Sequence, residues 1–324
     1  MAAHLTGALE AVLAGADTAD LHRATRRLIE VYRSGAPQSE PVLRDPVSTL
    51  AYAAYRMPAT HAAVSTALRL ADGADPEMGS QLRSLVDLGG GTGAASWAVA
   101  EAAPLLERID VLDSSGDALA LGERIARHGP PPLVGARWSR ASVRAGLELP
   151  RADLVGLGYL LGELEPPLRT VALEAAEAAT DRVLVVEPGT PRGFAAVLAA
   201  RDQLVGHGWH VLAPCPQDGP CPVAARAGDW CHFSARLDRT ALHRRLKDGA
   251  RSYEDEKLAF VLAVRHRPSS RPAARVLRHP FTRKGLVRLE VCRSDGSAGT
   301  EVVTRRDRDA YRAARDIRWG DTWP

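Results

Sequence analysis

The stretch Val86-Asp87-Leu88-Gly89-Gly90-Gly91-Thr92-Gly93 constrains this chain more than any other. An apolar run enters it, four glycines fall within five positions, and an alanine-rich stretch leaves it. Glycine is needed where a chain turns tightly off a strand and a ligand must reach the backbone without meeting side chains. The same rhythm continues downstream. Short apolar runs at Arg108–Leu112, Ala152–Leu157, Arg182–Val186, Trp209–Leu212 and Lys257–Val264 alternate with helical stretches at 94–103, 118–127, 168–179 and 194–206. Strands alternating with helices predict βαβ units and a buried parallel sheet, an α/β fold.

A glycine turn of this kind suits a dinucleotide or S-adenosyl-L-methionine. Two residues favour the second. Asp87 closes the strand just before the glycines, where its carboxylate can meet an amino group through the loop. Asp113 ends the next strand, 20 residues beyond Gly93, where ribose hydroxyls are expected. The candidate cofactor residues are therefore Asp87, Gly89, Gly90, Gly91, Gly93 and Asp113. No Lys-Ser/Thr pair follows the glycines, which argues against a P-loop. Residues 82–266 resemble class I methyltransferases. That resemblance implies a Rossmann-like, seven-stranded sheet whose last strand runs antiparallel. Catalytic residues stay unassigned. The stretch Gly158-Tyr-Leu-Leu-Gly-Glu163-Leu-Glu165-Pro166 lacks the Asn/Asp-Pro-Pro-aromatic quartet of base N-methylation in this fold. Glu163 suits a base and Tyr159 a stacking platform, or both simply close the pocket; Glu187 is a wall residue or a substrate contact.

Before this unit, residues 1–75 read as a helical extension. Asp45-Pro46 is an N-cap with proline at the first helical position, and Pro58 is expected to break that helix. The methyltransferase-like unit is expected over 76–267, with an insertion at about 213–256 ahead of the last strand. Residues 268–324 form a small basic β/α extension, with a turn at Ser294-Asp295-Gly296 and a closing helix from Asp307.

All four cysteines, Cys215, Cys221, Cys231 and Cys292, lie beyond residue 214, three of them within the insertion. Met1-Ala-Ala-His-Leu-Thr has no basic flank leading into an apolar stretch, so no secretory signal is expected, and reduced thiols rather than disulfides are expected with it. Gathered thiolates select zinc or an iron–sulfur cluster. Spacings of five and nine residues are not those of a zinc knuckle, and two of the cysteines precede proline. An iron–sulfur cluster on all four is the first reading; zinc on three cysteines plus His232 or Cys292 is the alternative. Either would tie the insertion to the tail.

Charge divides the same way. Residues 1–200 carry 18 arginines and no lysine against 24 acidic residues, whereas 201–324 carry 24 basic against 15 acidic. The basic part suggests a polyanion partner.

Several stretches together resemble one family, the methyltransferase-like proteins associated with the mitochondrial small ribosomal subunit and their bacterial relatives. They are Tyr52-Ala-Ala-Tyr55-Arg56-Met-Pro58-Ala-Thr60, the Asp87–Gly93 loop, Glu187-Pro-Gly-Thr-Pro-Arg-Gly193, Ala213-Pro-Cys215, Cys221-Pro222, Asp229-Trp-Cys-His-Phe233, Glu254-Asp-Glu-Lys257 and Trp319-Gly-Asp321. The resemblance implies S-adenosylmethionine binding, a 4Fe-4S cluster on the four cysteines, and a role in small-subunit rRNA maturation or translation. With no mitochondrial presequence, a bacterial, cytoplasmic member is expected, with no membrane span and no obligate protein partner. A cationic rRNA face is expected from Arg236, Arg239, Arg244, Arg245 and Lys247 together with Arg275, Arg278, Arg283, Lys284 and Arg288. Two other readings compete: a small-molecule O- or N-methyltransferase with a zinc site, and a catalytically silent ribosome-binding module.

Overall fold

A computed structural model describes residues 2–34, 45–238 and 253–324. The apolar runs form the strands Ser84–Leu88 (β1), Arg108–Asp113 (β2), Leu154–Gly158 (β4), Arg182–Pro188 (β5), His210–Ala213 (β6) and Tyr253–Val264 (β8). Two further strands, Arg137–Arg140 (β3) and Phe233–Asp238 (β7), escaped the sequence reading. β3 is a polar edge strand with little burial, so it has no apolar run to announce it. The order across the sheet is β3-β2-β1-β4-β5-β8-β6, with β7 paired to β8. β1 to β5 are mutually parallel, and β8 runs antiparallel to β5, β6 and β7. This is the class I methyltransferase order.

The sheet is buried on both faces. On one side lie α1 (Ala2–Leu13), α2 (Thr18–Ser34), α3 (Pro46–Tyr55), α4 (Met57–Asp72) and the helices Ala94–Ala102 and Gly116–Ala126, sharing one core that includes Leu28, Val64, Trp97 and Ile109. On the other lie the helices Pro166–Ala179 and Pro191–Gly206, packed over Val155, Val183 and Val261. The switch of side follows from right-handed crossovers that run outward in opposite directions, from β1 to β2 on one half of the sheet and from β4 to β5 on the other. α3 starts as its sequence suggests: the Asp45 carboxylate accepts the Ser48 N–H at 2.8 Å. Its end comes earlier than Pro58. α3 stops at Tyr55, and Pro58 falls in the first turn of α4, where its missing N–H removes no helical bond.

Past β8 the chain builds a second, antiparallel sheet from Ala274–Val276 (β9), Phe281–Arg283 (β10), Leu286–Arg293 (β11), Ala298–Thr304 (β12) and Thr322–Trp323 (β13). Val287, Leu289, Val291 and Val303 point to one face and bury against the helix Arg308–Asp316 through Ala314. Asp307 caps that helix by accepting the Ala310 N–H at 3.0 Å. Gly296, at φ +84°, makes the β11–β12 turn. No described helix is long and apolar enough to cross a membrane.

Candidate functional site

The glycine loop walls a cavity of about 430 Å³ lined by Asp87, Gly89, Gly90, Gly91 and Asp113, and by Glu163 across from them. Gly90 admits no side chain: a Cβ there would stand 2.7 Å from Asp87 Cγ and 2.7 Å from Val111 Cγ1. Gly93 does not line the cavity. It sits at the start of the following helix at φ +84°, and a Cβ would meet the Trp138 ring at 2.7 Å. Its role is to let β3's tryptophan close over the loop.

Asp87 is fully buried. Its Oδ2 accepts the Ser96 N–H at 3.0 Å and the Ser96 hydroxyl at 2.7 Å, while Oδ1 has no partner. Burial pushes its pKa up to about 6, against the pull of the Ser96 bonds. A buried carboxylate oxygen without a donor is costly, so a cationic or N–H-bearing ligand group at this wall satisfies a standing need. Asp113 is anchored differently. Its Oδ2 accepts the Gly91 N–H at 2.9 Å and its Oδ1 the Ser115 N–H at 2.8 Å, which fixes the carboxylate at the loop's edge with lone pairs left for hydroxyl donors.

Opposite the glycines, burial first and then repulsion from Asp113 push Glu163 up to about 7, with Arg56 opposing. Glu187 belongs under the wall rather than on it: it is 1% exposed, receives the N–H groups of Gly162 and Leu161, and is likewise pushed up to about 7, chiefly by burial. Tyr159 is a non-glycine residue in the left-handed region, at φ +61°. Such a backbone needs outside support. The Tyr159 hydroxyl donates to Glu256 Oε1 at 3.1 Å, Arg56 pairs with the same oxygen at 3.4 Å, and the guanidinium lies 5.3 Å from the Tyr159 ring centre. From sequence, Arg56 and Glu256 stood out only as parts of two separate matching stretches. They stand 200 positions apart, so no local pattern pairs them.

The four cysteines converge. Cys215, Cys221, Cys231 and Cys292 all line one small cavity of about 40 Å³, and all are free thiols. Burial pushes Cys231 well above the usual thiol range and Cys292 up to about 12, with the neighbouring thiols adding to each shift. Among the described residues no group of three or more His, Cys, Asp and Glu side chains forms a preformed site for a metal ion. The thiols share a cavity without drawing in to one point. Two arginines complete the wall: Arg201, which the sequence did not single out, and Arg275, which was expected on the cationic surface. Arg201 (4% exposed) spends its Nη atoms on Asp202 and on the carbonyls of Gln217 and Gly219. Arg275 (1% exposed) donates to the carbonyls of Pro214, Leu70 and Gly320. Arg201 Nε and Arg275 Nη2 are buried with no oxygen acceptor, and the Arg201 guanidinium faces the Cys215 thiol. Four thiols and two unspent guanidinium N–H groups make a donor set suited to an occupant that is ligated by sulfur and carries negative charge.

The expected cationic face needs correcting here. Arg275 is core, not surface, because it holds three carbonyls together behind the thiols. Arg278 is half-buried and donates to Asp229 and to the Trp230 carbonyl. Arg236 is exposed but pairs with Asp255 at 3.2 Å. Arg239, Arg244, Arg245 and Lys247 lie outside the described residues. Arg283, Lys284 and Arg288 are exposed on the second sheet. Insertion and tail meet through aromatics: Trp319 Nε1 donates to the His232 carbonyl at 3.1 Å, and Trp230 stacks on His232 at 5.3 Å.

Residues 46–324 match the family model described as mitochondrial small ribosomal subunit Rsm22. The chain belongs to the Rsm22 family. Among curated relatives of this Rsm22 member is the human mitochondrial ribosome assembly protein METTL17, 29% identical over 295 residues, covering 85% of this chain and 62% of that protein. The Rsm22-cox11 tandem protein 2 of Schizosaccharomyces pombe is 29% identical over 183 residues, 44% of this chain and 24% of that protein. The chain thus spans less than two thirds of the length of either. Solved structures with a similar fold include the magnesium protoporphyrin IX methyltransferase of Synechocystis PCC 6803 (TM-score 0.38, 14% identity, 74% of this chain and 91% of that one). A precorrin-6y C5,15-methyltransferase of Geobacter metallireducens aligns with a TM-score of 0.37 at 13% identity, over 57% of this chain and 82% of that one.

Proposed function

We propose that this Rsm22-family chain binds S-adenosyl-L-methionine at the Asp87–Asp113 pocket and acts with small-subunit rRNA in ribosome assembly. In this reading a 4Fe-4S cluster on Cys215, Cys221, Cys231 and Cys292 staples its C-terminal part. One observation carries the cofactor assignment: the unpartnered Asp87 Oδ1 beneath a glycine loop that only a side-chain-free backbone could form. Asp87 would accept the ligand's amino group, and Asp113 its ribose hydroxyls. The cofactor supplies an electrophilic methyl group when bound. The ribosomal assignment is supported by family membership, since the human relative is a ribosome assembly protein. The cluster is supported by the shared thiol cavity with its two unspent arginine N–H groups; its role is structural, since methyl transfer from a sulfonium needs no electron.

Glu163 supports the further reading that the pocket performs methyl transfer. Held near 7, it is poised to take a proton from an acceptor's N–H or O–H. Calorimetry with S-adenosylmethionine, followed by mapping of methylated positions in small-subunit rRNA incubated with the protein, tests both readings. Absence of binding heat removes the pocket assignment. Binding without new methylation leaves a cofactor-dependent assembly factor.

A further inference from the structure

The second sheet has two unlike faces. One carries Val287, Leu289, Val291 and Val303 and is covered by the helix Arg308–Asp316. On the other, Phe281, Arg288 and Val302 stand directly opposite one another across β10, β11 and β12. Phe281 is 50% exposed and Val302 53%, and the Arg288 guanidinium lies 5.0 Å from the Phe281 ring centre. Arg283 and Lys284 are exposed at the end of β10. The carboxylate on this face, Glu290, is already engaged by the Thr300 hydroxyl.

Phe281 sits beside exposed cations, with the Arg288 guanidinium already against its ring. That combination suits an unpaired nucleobase: the ring offers a stacking plane and the cations take the flanking phosphates. The face also has a fixed position. Cys292 lies on the same face of β11 as Arg288, four residues on, or about 14 Å along the strand. Among the described residues, Val223, Cys221 and Cys231 of the insertion pack at the Cys292 end, and Phe281 at the other end is exposed.

We propose that the Phe281–Arg288–Val302 row is a stacking platform for single-stranded RNA. The inference rests on the ribosomal reading above and deepens it by naming the contact surface. The test measures anisotropy of a fluorescein-labelled single-stranded RNA of about twelve nucleotides, a hairpin of equal length and an oligoglutamate peptide, with cosedimentation on isolated small subunits. The full chain and its Phe281→Ala, Phe281→Trp and Arg288→Ala variants are compared. Phe281→Ala is expected to weaken single-stranded RNA binding by about 5- to 100-fold, Phe281→Trp to retain it, and the hairpin to bind more weakly. Wild-type binding to small subunits that is unchanged, along with RNA affinity, in a folded Phe281→Ala overturns the platform and leaves the ribosomal reading standing. Wild type that binds neither RNA nor small subunits overturns both. Binding of the peptide in preference to RNA, with the same dependence on Phe281, assigns the face to an acidic protein segment and overturns the proposal.

Discussion

Cys292 and Arg275 stand directly opposite each other in the antiparallel pairing of β11 with β9. One side chain comes from the thiol set and the other holds carbonyls from α4, the start of the insertion and the tail. The thiol cavity is therefore where three distant segments meet. Protein purified without oxygen is expected to be brown and to contain iron and sulfide. Serine at any of the four cysteines should abolish both. Arg275→Met should destabilise the apo-protein and lower cluster retention, because three carbonyls lose their donor. Colourless protein with one zinc per chain would remove the iron–sulfur assignment.

Asp87 must be ionised to receive a cationic amino group. With its pKa near 6 in the ligand-free protein, affinity for S-adenosylmethionine should rise by up to about tenfold per pH unit below 6 and level off above 7. Calorimetry from pH 5 to 8 reads this directly. Asp87→Asn should flatten the profile and weaken binding by about 10- to 100-fold.

Stability should move the other way. Asp87, Glu163 and Glu187 are all held above their ordinary values by burial. A group with a raised folded pKa stabilises most below its unfolded pKa and loses that contribution as pH rises through the folded value. The ligand-free protein should thus lose stability between about pH 4 and 7, on the order of 3 kcal/mol per carboxylate. Thermal melts across this range check the sign; a melting temperature that climbs steadily over it would contradict the burial argument.

Gly90→Ala places a methyl against the Asp87 carboxylate and Val111. Overpacking of this kind costs about 1–3 kcal/mol, and the displaced carboxylate should also cost cofactor affinity. Chemical denaturation and calorimetry on the same variant separate the two effects.

Arg56→Met leaves Glu256 half-buried beside Tyr159 without its cation. A loss of about 3 kcal/mol is expected, since removing one partner strands the other. The double variant Arg56→Met, Glu256→Gln should recover part of it. With the bracket gone, Tyr159 loses support for its left-handed backbone, so cofactor affinity should fall as well.

Local chemistry determined much of this protein. Glycine spacing, apolar runs and alternating helices specified β1, β2, β4 and β5, because strand burial and tight turns leave their mark within a few residues. Asp87 and Asp113 were legible for the same reason: each sits at the end of its own strand. β3 was not, because a polar edge strand is defined by its neighbour. The four cysteines could be counted as one set, but only folding put them around a common cavity. Arg201 and Arg275 became part of that wall through burial, a property neither arginine's sequence neighbours reveal. Arg275 even reversed its expected role, from cationic surface to core, because three carbonyls from distant segments converge on it. The Arg56–Tyr159–Glu256 bracket and the Phe281–Arg288–Val302 row are likewise products of register and packing. Side chains far apart in the chain become one site only when the sheets align them, and that alignment is a property of the tertiary structure alone.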